Sequence, residues 1–114
     1  MKNRLPMGFA LGLVAALAVG AACGQGASGR PSDAEILALV KTHCAPCHAA
    51  EPTHEAFAKP PAGIMLETIE QVSRNASKIM TQVVIERAMP LGNETGMTDE
   101  ERARIAAWLE ARKP

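Results

Sequence analysis

Apolar positions fall into four groups along the chain, each with its own spacing. The first is unbroken: residues 5–22, LPMGFALGLVAALAVGAA, follow Lys2 and Arg4. A basic start, an apolar run and a small-residue end make the pattern of an export signal. The second group begins after Ser32. Ser32 and Glu35 have the spacing of a capping box, and Ile36, Leu37, Leu39 and Val40 follow, which predicts a first helix running toward Cys44. In the third group, Ile69, Val72, Ala76, Ile79, Met80, Val83 and Val84 recur at three and four within residues 68–88. That period predicts one or two helices, with Ser73 and Asn75 marking a break. The fourth group opens on a second capping box, Thr98 and Glu101. Acids crowd its first turn, Ile105, Ala106, Trp108 and Leu109 line one face, and Arg112 and Lys113 suit its C-terminal end.

What lies between the groups is equally informative. Residues 24–32, GQGASGRPS, are small and polar and predict a flexible spacer. Residues 51–63 contain Pro52, Pro60 and Pro61, with Pro46 just before them. No continuous helix survives that density of proline, so a wrapping loop is expected. No stretch alternates β-branched and polar residues, and no repeat is visible. The pattern predicts an all-α domain of three to five helices over residues 32–114, preceded by a signal or anchor (1–22) and a linker (23–31).

Composition narrows the class. A length of 114 residues with 47% hydrophobic and 21% charged side chains fits one small globular domain. Formal charge is zero, and without Lys2 and Arg4 ten basic side chains face twelve acidic ones, about −2. The basic residues form no stripe, which argues against nucleic acid as a partner. Beyond the apolar run the only aromatics are Phe57 and Trp108. So thin a core leans toward a large apolar cofactor as the missing interior.

Three fates remain open for the apolar run. Gly20-Ala21-Ala22 offers an ordinary cleavage site, Cys23 directly after it stands where a bacterial lipoprotein is acylated, and the run is nearly long enough to stay as a membrane anchor. Gly20 departs from the Leu usual in a lipobox. All three place the domain in the periplasm or elsewhere outside the cytoplasm, with a possible membrane tether through Cys23 or the run itself.

The candidate chemistry is concentrated in Cys44-Ala45-Pro46-Cys47-His48. A redox dithiol wants a thioredoxin-like βαβ setting, for which the chain has no strands. A zinc cage needs four ligands in a tetrahedron, and His43, His48 and His54 all crowd the same short stretch as the cysteines. The third reading, C-x-x-C-H as an attachment site for c-type haem, leaves no residue of the motif over. Cys44 and Cys47 would form thioethers to the two vinyl groups of one porphyrin, and His48 would be the proximal iron ligand.

With CAPCH, PPAGIML and AMPLGNETGMTDEERARIAAWL, the chain resembles the small monohaem cytochromes c over roughly residues 33–112. The last stretch is most similar to the cytochrome domain of bacterial membrane-bound urate oxidases. The resemblance implies a cytochrome c-like fold, its helices wrapped around one covalent haem c. It also implies a distal methionine in the loop before the last helix, a position Met89-Pro90 fits. Met97, in the same loop, is the competitor, while Met65 and Met80 read as packing against the porphyrin. The family's proximal histidine gives its ring N–H to a proline carbonyl, here Pro61 in preference to Pro60, with Gly63 and Ile64 near the haem edge. The family's crossing of terminal helices would bring together Ile36, Val40, Ile105 and Trp108. His43 and His54 read as solvated.

A histidine and a thioether fill both axial positions of iron and leave no site for substrate. The expected role is therefore one-electron transfer, without catalysis, to redox partners such as a dehydrogenase, an oxidase or a respiratory-chain component. The alternatives are a haem sensor or peroxidase-like domain with an open distal side, or an accessory subunit of a larger oxidase or dehydrogenase.

Overall fold

The computed structural model describes residues 8, 12, 20 and 29–113. The apolar run and Cys23, with the export and lipidation expectations attached to them, lie outside the described residues apart from three isolated glycines. No helix of the described residues is long and apolar enough to cross a membrane.

Four α-helices and no strands occur among the described residues: α1 (Asp33–His43), α2 (Ile69–Arg74), α3 (Ala76–Ile79) and α4 (Asp99–Glu110). The all-α expectation holds. Both predicted capping boxes form. Ser32 N–H donates to Glu35 Oε2 at 2.8 Å while Glu35 N–H donates to Ser32 Oγ at 3.2 Å. Thr98 and Glu101 repeat the exchange at 2.8 and 3.1 Å. A third box, Thr68 with Gln71, starts α2. Each one satisfies amides that a helix start would otherwise leave unpaired.

Asn75 ends α2 and precedes α3, as the break in periodicity predicts. Past Ile79 the helix continues as a π-turn, Met80–Ile85, in which Glu86 N–H reaches back to Thr81 O at 2.8 Å. The periodicity did not foresee this wider turn. The segment stops before Pro90, because Arg87 adopts a left-handed φ of 57° that no helix continues.

α1 and α4 cross and close one side of the molecule. Ile36, Val40, Ile105 and Trp108 are all buried in one apolar cluster, as expected for the crossing. Polar ties flank it: Trp108 Nε1–H donates to Asp33 Oδ1 at 2.8 Å, and Arg104 reaches Glu35 at 2.6 Å. Arg112 pairs with Asp33 and lies over the Trp108 ring at 4.1 Å. Burying a tryptophan and three branched side chains, each worth about 1.5–3 kcal/mol, gives this crossing most of its strength. The exposed ion pairs add little.

Candidate functional site

The cysteine motif grows directly out of α1. Val40 O accepts both Cys44 N–H at 2.8 Å and Ala45 N–H at 3.0 Å, and Cys44 O then accepts Cys47 and His48 at 3.1 and 2.8 Å. The last of these bonds sets Cys44 and His48 one helical turn apart, so that both face the same way. The next residues fold back over the motif, with Thr53 and His54 N–H both on Pro46 O and Leu66 N–H on His48 O. The wrapping loop is thus hung from the motif itself.

Cys44, Cys47, His48, Pro61, Ile64 and Met89 all line one largely apolar cavity of about 570 Å³, within the range of about 300–1,000 Å³ typical of cofactor sites. Neither cysteine is in a disulfide. Burial, and then the neighbouring Cys47, push the Cys44 thiol up to about 12. Burial raises Cys47 as well, helped by the charge of Glu94. A reactive dithiol needs the opposite shift. Among the described residues no cluster of three His, Cys, Asp or Glu side chains is placed to hold a metal ion. The dithiol and zinc readings therefore find no support here.

His48 Nδ1 lies 2.9 Å from Ile64 O. A carbonyl only accepts, so Nδ1 carries the proton and Nε2 keeps its lone pair for a ligand. This corrects the acceptor expected at Pro61. The Pro61 carbonyl is taken by Ile64 N–H at 3.1 Å in a 3-10 turn, Pro61–Gly63. Ala62 and Gly63 have φ of 56° and 66°, and this left-handed pair carries the chain on until Ile64 O is the acceptor.

Met89 follows the π-turn, and its N–H donates to Gln82 O at 3.0 Å. Of the methionines among the described residues it alone lines the cavity. Met97 is 4% exposed and belongs to the helix core, where Asn93 holds its N–H and C=O at 3.0 and 3.2 Å. The expectation that Met65 and Met80 pack on the porphyrin is not met: Met65 is exposed, Met80 packs against the helix core, and neither reaches the cavity.

The two other histidines also depart from expectation. His43 is buried rather than solvated, with Nδ1 2.8 Å from Thr95 Oγ1 and Nε2 3.3 Å from Glu101. It sits at the C-terminal end of α1 and joins that helix to α4 and to the Met89 loop. His54 is half-buried: it stacks obliquely on Phe57 and donates to Glu94 at 3.0 Å, bridging the wrapping loop to the Met89 loop.

A family model for cytochrome c matches residues 34–113. The chain belongs to the cytochrome c family. Its members carry covalently bound haem c, held through a C-x-x-C-H motif, and are in general electron carriers rather than enzymes. Neither the curated proteins nor the solved structures gave a match. The residues of this cytochrome fit the group: two unpaired thiols, an imidazole with one nitrogen committed and the other free, and a thioether, all around one apolar cavity.

Proposed function

We propose that this cytochrome is an extracytoplasmic one-electron carrier in which His48 and Met89 would both hold the iron of its haem c. The observation that carries the reading is the convergence of His48 and Met89 on the cavity that also holds Cys44 and Cys47. When bound there, haem c supplies a one-electron change at iron, and a thioether ligand favours its reduced state. Cys44 and Cys47 would fasten the group through their sulfurs. His48 offers Nε2, its ring held by the Nδ1–H bond to Ile64 O, an orientation that also strengthens the nitrogen as a donor. Met89 would offer its thioether sulfur to the same iron.

Export of the domain is supported by Lys2, Arg4 and the apolar run, and the partner is a dehydrogenase, an oxidase or a respiratory-chain component. Docking between electron carriers is characteristically small and weak.

Met89→Ala tests the ligand assignment. The variant should lose the sulfur-to-iron charge-transfer absorption, show a lower reduction potential, and bind carbon monoxide in the reduced form. A spectrum and potential unchanged from the wild type would remove Met89 from the iron.

A further inference from the structure

The buried side chain with the least conventional set of partners is Arg102. It stands on α4 with 5% exposure, yet no carboxylate lies within ion-pair distance of it among the described residues. Asp99, one turn earlier on the same helix, is exposed and is taken by Arg87 at 2.5 Å. The Arg102 acceptors are all neutral oxygens. Nη1 donates to Val83 O and to Met89 O, both at 2.7 Å, and Nη2 approaches Asn93 Oδ1 at 3.4 Å, while Nε–H has no partner. Asp99 feels its charge only at longer range, and burying a cation without a directly paired carboxylate is costly.

What the guanidinium holds accounts for its position. Val83 is in the π-turn, Met89 is the residue after which the loop turns over the cavity, and Asn93 ends the 3-10 turn Leu91–Asn93 and clamps Met97. All three acceptors lie on the segment that presents Met89. The Met89 residue is held through both of its backbone groups, its N–H on Gln82 O and its C=O under Arg102. The planar fork of Arg reaches several acceptors at once, which the point charge of Lys does not.

We propose that Arg102 is a positioning residue for the distal sulfur: from α4 it fixes the Met89 carbonyl, and with it the side chain that closes the cavity. The proposal rests on Met89 as the distal ligand. Arg102 does not line the cavity, so it acts through the Met89 backbone.

The test is competition with imidazole on the haem-loaded, full-length protein. An external ligand binds only the fraction of molecules whose sulfur has left the iron, so its apparent affinity reports that fraction. Arg102→Gln should bind imidazole at least tenfold more tightly than the wild type and show a weaker sulfur-to-iron absorption. Arg102→Lys, which keeps the charge and loses the fork, should shift the same way and decides the matter if the Gln variant does not fold. Leu109→Ala, which weakens the core of α4 seven residues beyond Arg102 without removing a hydrogen bond to the Met89 loop, should leave imidazole affinity within about twofold of wild type. The proposal is overturned if Arg102→Gln binds imidazole as weakly as the wild type, or if Leu109→Ala tightens binding as much as Arg102→Gln. A wild-type protein without the sulfur-to-iron absorption would instead remove the Met89 assignment beneath it.

Discussion

At the residue scale, the site depends on atoms whose chemistry is decided by their hydrogen bonds. His48 is prepared for a metal because its Nδ1–H donates to Ile64 O and leaves Nε2 with its lone pair. Glu101 shows the same logic on the stability side. The Thr98 backbone N–H, with further help from His43, holds its carboxyl below the ordinary value of 4.5. A carboxylate with a lowered native pKa stabilises the fold fully above its unfolded value, and that contribution is lost as pH falls through the native one. Thermal melts between pH 7 and pH 3 should therefore show a midpoint that is flat down to about pH 5 and falls below about pH 4.5, with a shallower fall in Glu101→Gln. An equal decline in both proteins would show that the pairing contributes nothing. The candidate ligands themselves were legible in the sequence, because C-x-x-C-H and Met-Pro are local patterns. His43 was not: its partner Thr95 lies 52 positions away, and the cysteine beside it says nothing about burial. Arg102 did leave a trace, three residues before Ile105 on the apolar face of α4, but a charged side chain there reads as surface.

At the element scale, helix starts were the most legible features. Ser32 with Glu35 and Thr98 with Glu101 announce α1 and α4 through residue types whose side chains satisfy unpaired amides. Thr68 with Gln71 carries the same signal and shows that a capping box ahead of a short helix is easily passed over. The π-turn was not legible, because a shift from i−4 to i−5 bonding changes hydrogen bonds without altering which residues are apolar. The turn nevertheless matters, since it brings Gln82 O and Val83 O to the places where the Met89 N–H and Arg102 meet them. The crossing of α1 and α4 concentrates the fold's strength in Trp108, which is 1% exposed. Trp108→Ala should cost about 3–5 kcal/mol in denaturant unfolding. A loss below about 1 kcal/mol would move the core away from this crossing.

At the scale of the whole molecule, four successive stretches of chain between His43 and Thr95 contribute the cavity: the motif after α1, the wrapping loop, the α3 and π-turn segment, and the Met89 loop. The helices pack on one another through α1 and α4, while the loops pack around a space that side chains do not fill. A sequence with only Phe57 and Trp108 as aromatics in the domain foreshadows this arrangement, because its apolar residues cannot close so large an interior. His54 with Glu94 and His43 with Thr95 tie the two loops and α1 together around that space. The molecule is thus a pair of crossed helices carrying a cofactor cage, and its function resides in the cage.

The most direct test of that account is an optical redox titration of the exported, haem-loaded protein. A single wave fitting one electron is predicted, with a sulfur-to-iron absorption in the oxidised form that disappears in step with it. A chain that carries no covalent haem to titrate, or an oxidised spectrum without that absorption, would contradict it.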